Sequence, residues 1–187
     1  MLKDWNKVEQ PTAEEADKRL ANAKNSLLQQ QIAMKEKKLP VIVLLEGWGA
    51  AGKGSVLGKL IKNIDPRFFK VAVMDEPTEE EKRKPFLYRH FVKIPEAGKF
   101  VFMDSGWMSE VTSQKLSGEL SEEEYKKRIE SIKRFERQLT DNGYLLLKFF
   151  FNIDKKEQKK RLKKLVEDKN TACLLYTSPS PRDTERS

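Results

Sequence analysis

Apolar and polar positions alternate along the chain in two distinct rhythms. Thr12-Ala13-Glu14-Glu15, just after Pro11, has the form of a capping box, and Leu20, Ala23, Leu27 and Met34 then recur at helical spacing. A long amphipathic helix is expected to open the chain and pack on the domain after it, so that residues 1–38 form an appendage. After Leu39-Pro40, the run Val41-Ile42-Val43-Leu44-Leu45 is short, apolar and rich in β-branched residues, the signature of a strand buried on both faces. A glycine-rich segment comes next. Beyond it, Val56, Leu57, Leu60, Ile61 and Ile64 keep a helical period until Asp65-Pro66 stops them.

Phe69 to Met74 and Lys99 to Asp104 read as further strands. Between them Asp75 to Glu96 is charged and carries prolines at positions 77, 85 and 95, which predicts a lid over about residues 77–96. Ser121-Glu122-Glu123-Glu124 caps another helix, bearing Tyr125, Ile129, Ile132 and Leu139 and ending near Asn142-Gly143. Tyr144 to Phe151 returns as a strand, and Asp154 with Glu157 opens a last helix whose stripe is Leu162, Leu165 and Val166. Strands alternating with helices predict an α/β fold of three layers, with a parallel sheet between helices and ligands gathered at the carboxyl ends of the strands. The main domain is expected over residues 39–170. From Cys173 the sequence loses all period, and residues 171–187 read as a non-native or disordered tail.

Composition narrows the chemistry. No apolar run approaches the ~20 residues that cross a bilayer, and the amino terminus lacks the apolar stretch of a secretory signal, so a cytoplasmic protein is expected. One cysteine and one histidine, Cys173 and His90, exclude a disulfide framework and a zinc cluster, leaving oxygen ligands for any metal. The net charge of +8 attracts polyanions without choosing among them. Part of it is helix surface, since Asp154 to Asp168 carries seven basic residues against four acidic ones. No motif that reads RNA or DNA accompanies the charge, although Trp48 and Trp107 are of a type that stacks on bases.

The glycine-rich segment carries the candidate chemistry. In Gly47-Trp48-Gly49-Ala50-Ala51-Gly52-Lys53-Gly54-Ser55, glycines stand where backbone must bend close to a phosphate, successive amides supply donors, and Lys53 adds an ammonium for the outer phosphates. Its place between a buried strand and an amphipathic helix is that of a P-loop. The hydroxyl that usually follows the lysine and binds Mg²⁺ is replaced by Gly54, with Ser55 one place later.

The variant Glu46-Gly47-Trp48-Gly49-Ala50-Ala51-Gly52-Lys53-Gly54 resembles the loop of polyphosphate kinase family 2, which reads Glu-Gly-x-Asp-Ala-Ala-Gly-Lys-Gly. The resemblance continues through Asp65-Pro66-Arg67, the lid motif from Pro77 through Glu81, Arg83, Pro85 and Leu87 to Arg89, then Asp104-Ser105-Gly106-Trp107 and Phe135-Glu136. It implies a fold like that of thymidylate kinases, and transfer of phosphoryl groups between polyphosphate and nucleotides with Mg²⁺. It also implies roles: Lys53 and the amides of Gly52 and Gly54 on the transferring phosphate, and Asp104 as the carboxylate orienting Mg²⁺. Arg83, Lys84 and Arg89 would close over polyphosphate, and Arg67 would serve the nucleotide.

Two departures bear on activity. Gly49 stands where the family has an aspartate, and the block Asp-Arg-Ser-Trp-Tyr-x-Arg reads Asp104-Ser105-Gly106-Trp107-Met108-Ser109-Glu110, without either arginine. The chain thus resembles the degenerate first copy in polyphosphate:AMP phosphotransferases built from two fused domains, and is expected to be an amino-terminal fragment of one. Three readings are open: an enzyme taking AMP to ADP, a polyphosphate-binding half that supports a second active domain or another copy of itself, and, on charge alone, a nucleic-acid-binding module.

Overall fold

The computed structural model describes residues 11–167. The expected tail, residues 171–187, lies outside the described residues. Four parallel strands form one sheet: β1 (Val41–Gly47), β2 (Phe69–Val73), β3 (Phe100–Asp104) and β4 (Leu145–Phe151), in the spatial order β2-β3-β1-β4. The helices are α1 (Ala13–Glu36), α2 (Lys53–Ile61), the short α3 (Glu79–Lys82) and α4 (Tyr88–Phe91), α5 (Trp107–Leu116), α6 (Glu122–Asp141) and α7 (Lys155–Glu167), with one 3-10 turn at Pro66–Phe68.

Alternation along the central strands sorts the core into two halves, as a strand's period of two requires. Ile42 and Leu44 of β1 join Val101, Met103, Trp107, Val111, Ile132, Phe135 and Leu139 on the face covered by α5 and α6. Val41, Val43 and Leu45 join Phe100, Phe102, Leu57, Ile64 and Met34 on the face covered by α1 and α2. This is the three-layer arrangement expected from the sequence.

The capping boxes at Thr12 and Ser121 are both formed, with Glu15 and Glu124 closing them, and α1 and α6 start where those residues dictate. The appendage helix differs from expectation in how it docks. Only its last turns are held, through Gln31 and Met34, whereas Leu20, Leu28 and Ile32 are exposed. Its apolar positions are too sparse to seat the whole length, and residues 13–23 are all exposed. The last helix keeps Gln158 and Leu162 buried but leaves the predicted stripe residue Val166 exposed. No described helix is long and apolar enough to cross a membrane.

Candidate phosphate-binding site

The site grows out of the end of β1. Gly47 has φ +128°, and a Cβ there would lie 2.3 Å from the carbonyl oxygen of Phe151, so only glycine lets the chain leave the sheet while still pressed against β4. The Trp48 amide donates to that same oxygen at 3.3 Å. Ala50 and Gly52 also take positive φ, at 58° and 103°, which winds the loop back toward α2. Gly52 is the N-cap of α2 without a side-chain cap, so no side chain of the loop closes the helix end, where free amides and the helix dipole favour an anion.

Lys53 opens α2 and is 8% exposed. Its Nζ donates to the carbonyls of Gly47 at 3.1 Å and Trp48 at 3.4 Å, so the ammonium sits inside the loop's own ring. Gly54 and Ser55, next on the helix, are exposed. Other loop carbonyls are taken by α7: Gln158 donates to Gly49 at 3.3 Å, and Arg161 to Ala50 at 3.4 Å and Ala51 at 3.3 Å. Gln158 and Arg161 were not legible as site residues, because helical period marks an inner face without showing which loop it meets. Arg161 is further steadied by Glu157 at 2.8 Å.

Parallel pairing of Leu45 with Asp104 brings β3's last residue level with the mouth of the loop. The Oδ1 of Asp104 is buried and has no hydrogen-bond partner among the described residues. Burial pushes its carboxyl above the usual carboxylate range, while the nearby Lys53 ammonium pulls it back. An orphaned carboxylate oxygen facing a phosphate cradle fits a hard cation such as Mg²⁺, which binds through one or two carboxylates and completes its shell with water and substrate oxygens. No group of three or more His, Cys, Asp or Glu gathers for a metal among the described residues, and Gly49 adds no oxygen beyond its backbone.

Glu46, quoted in the loop motif without a role of its own, is buried at 7% exposure between β1 and α5. Ser109 donates its hydroxyl to Glu46 Oε2. Burial raises this carboxyl too, opposed by the Ser109 hydroxyl, the amides of Gly106 and Ser109, and Lys53. A Cβ on Gly106 would lie 2.7 Å from Glu46 Oε1, so the glycine makes room for the carboxyl beside the first turn of α5.

The lid segment follows the carboxyl end of β2 and so emerges on the same rim as the loop. Its three expected cations are placed differently. Arg83 is exposed; Lys84 is paired with Glu80 at 2.7 Å and lies over the Tyr88 ring at 4.4 Å. Arg89, expected to reach polyphosphate, is instead 5% exposed and turned into the fold, where it donates to the Asp75 carbonyl and lies 3.8 Å from the Glu110 carboxylate, while its Nε has no hydrogen-bond partner among the described residues.

Arg67 and Trp107 also find partners within the fold. Arg67 precedes β2, at the amino end of the parallel sheet, whereas the loop leaves the carboxyl end of β1: Phe69 is level with Phe100 and so with Val41, about 20 Å along the strands from Gly47. Its guanidinium is paired with Asp65 at 2.6 Å, which lowers the Asp65 carboxyl to about 2, so it braces the turn closing α2. Trp107 is fully buried, its indole donating to Glu136 at 2.9 Å, and is therefore core and not a stacking platform.

Comparison with known proteins fits this geometry. A polyphosphate kinase 2 of Arthrobacter aurescens superposes with a TM-score of 0.77 at 28% identity, covering 81% of this chain and 56% of that one. The chain is 33% identical over 172 residues to the polyphosphate:AMP phosphotransferase of Pseudomonas aeruginosa, covering 91% of this chain but 34% of that protein. It is 30% identical over 168 residues to ADP-polyphosphate phosphotransferase 3 of Rhizobium meliloti, covering 90% of this chain and 58% of the relative. The chain thus spans between about a third and three fifths of the length of these curated relatives. With the family profile of polyphosphate kinase 2 matching residues 10–174, and the loop, strand order and strand-end carboxylate in place, the chain belongs to the polyphosphate kinase 2 family.

Proposed function

We propose that this chain is the phosphate-gripping domain of a polyphosphate-dependent nucleotide phosphotransferase, which in its complete form moves a terminal phosphoryl group of polyphosphate onto AMP and yields ADP. The bond broken joins that phosphorus to the bridging oxygen of the polymer; the bond formed joins it to a phosphate oxygen of AMP. The observation that carries the reading is Lys53, buried at the base of a loop whose helix end has no side-chain cap, beside the orphaned Oδ1 of Asp104.

Phosphoryl transfer asks mainly for positioning and charge neutralisation. Lys53 and the loop amides from Gly49 to Ser55, apart from that of Ala51, which donates to the Trp48 carbonyl, bind the polymer's end, and Asp104 would hold Mg²⁺, which supplies charge neutralisation on the transferring oxygens when bound. Of the three lid cations singled out in the sequence, Arg83 and Lys84 are within reach of solvent on that rim. Arg161, beside Gly52, adds a guanidinium that the sequence did not single out.

A second reading is favoured by Gly49, Ser105 and Glu110, which remove a carboxylate and two cations from the family pattern. In it the chain binds polyphosphate without turning it over and supports an active domain, fused to it or in another copy. Incubation with polyphosphate, AMP and Mg²⁺ separates the two. The first predicts ADP formation that Lys53→Ala abolishes; the second predicts polyphosphate binding with no ADP until Gly49→Asp and Ser105→Arg are introduced together. Absence of both binding and turnover overturns the proposal.

A further inference from the structure

The lid carries two side chains that a solvated charged segment would not bury: Arg89 at 5% exposure and His90 at 0%. Ionisable groups at such depth require partners. Both converge on one carboxylate of α5. Glu110 Oε2 lies 3.0 Å from His90 Nε2, which donates to it, and 3.8 Å from the Arg89 guanidinium. Arg89 also donates to the carbonyl of Asp75 and faces Glu81 at 3.9 Å. The imidazole stands perpendicular to the Trp107 indole at 5.7 Å, and Phe86, Leu87 and Ile94 pack on the same core, so α4 meets α5 through a joint both ionic and apolar.

The neighbouring residue of α5 reaches the other way. Ser109 donates to Glu46, the carboxyl immediately before the phosphate loop. Two consecutive residues thus connect the first turn of α5 to the loop's strand on one side and to the lid on the other.

We propose that Glu110 is a positioning residue, a latch that holds lid helix α4 on α5 and keeps Arg89 out of the phosphate site. The contact stands on geometry alone; its consequence for polyanion binding rests on the function proposed above. Residue type decides the sign. An arginine at position 110, as in the family pattern, would face Arg89 with like charge, whereas glutamate turns the same approach into attraction. The guanidinium of Arg89 is thereby committed to the fold, and the substrate-facing charge of the lid falls to Arg83 and Lys84.

Hydrogen–deuterium exchange on the full chain, at one pH and salt, tests the latch without any ligand. Glu110→Gln is expected to speed exchange of amides in residues 79–92 by about tenfold or more, because it leaves buried Arg89 with only the half-buried Glu81 at 3.9 Å as counter-charge and removes the carboxylate that His90 shares. Exchange in β1 and α6 should not change, and Glu110→Asp, which keeps the charge on a shorter arm, should fall between. Arg89→Met should loosen the same peptides with Glu110 intact, and decides the matter if Glu110→Gln does not fold. Lid protection equal to the parent, or an equal loss in β1, overturns the latch. In calorimetry with tripolyphosphate, the freed guanidinium should tighten binding and steepen the dependence of log K on log salt by about one unit. A loosened lid with no tripolyphosphate binding by either protein would sink the functional reading and leave the latch standing; intact binding with a lid that does not loosen would do the reverse.

Discussion

Gly47→Ala is the most demanding test of how the loop is built. The new Cβ would lie 2.3, 2.7 and 2.9 Å from the O, N and C atoms of Phe151, and these are backbone atoms of β4 that cannot swing aside as a side-chain tip would. Relief requires opening the end of the β1–β4 pairing, where Gly47 is in register with Phe151, and losing the Trp48 amide bond to the same carbonyl. Overpacking of this kind costs about 1–3 kcal/mol. Holding a non-glycine residue at φ +128° adds about 1–3 kcal/mol more. The sum, about 2–6 kcal/mol, is a large part of the ~5–15 kcal/mol that holds a domain together. Gly52→Ala is the matched control: its φ is +103°, but the nearest atom is the Arg161 guanidinium nitrogen at 4.0 Å, so only the backbone cost of about 1–3 kcal/mol applies. Gly54→Ala, helical and with nothing within 4 Å, should gain about 0.5–1 kcal/mol. Urea unfolding of the three variants measures the series. A Gly47→Ala loss below about 1 kcal/mol, or one no larger than that of Gly52→Ala, would refute the steric account.

Asp104→Asn should separate stability from metal binding. Burial raises the Asp104 carboxyl above 3.8, so the folded chain holds its proton more tightly than the unfolded chain. Ionised Asp104 therefore costs stability at neutral pH, a cost that fades as pH falls through the raised value toward 3.8. The asparagine variant should be the more stable at pH 7 and lose that advantage near pH 4, by urea midpoint, while Mn²⁺ binding followed by electron paramagnetic resonance disappears; a variant less stable at pH 7 would contradict the sign. Met34→Ala should cost about 2–5 kcal/mol and Leu20→Ala less than about 0.5 kcal/mol, because α1 docks by its last turns. Equal losses in thermal unfolding would show that the helix is seated along its whole length.

What the sequence disclosed and what it hid divide along physical lines. β1 was legible because five consecutive apolar residues can be buried on both faces only inside a sheet, and α1 and α6 because their first turns are closed by local hydrogen bonds. The phosphate loop was legible because its constraint is local: glycines at positive φ and a lysine at the helix start. By contrast α5 went unread. Its N-cap, Gly106, has no side-chain bond, and the acceptor near its first turn is Glu46, sixty residues earlier in the chain. The same holds for Arg89 and Arg161, whose positions depend on Glu110 and on the loop carbonyls, partners that spacing does not announce. Arg67 stands between these cases: Asp65-Pro66 was legible as a helix stop because its constraint is local, while only strand direction shows that Arg67 lies at the amino end of the sheet.

Calorimetric titration of the chain with tripolyphosphate and Mg²⁺, alongside Lys53→Ala, tests the central claim most directly. The ammonium donates inside the loop's ring and would turn to the anion, so its removal forfeits charge-assisted bonds worth about 1.5–3 kcal/mol. The account predicts saturable, salt-sensitive binding by the parent and affinity lower by about tenfold or more in the variant. Equal affinity in the two proteins, or no binding by a folded parent, would contradict it.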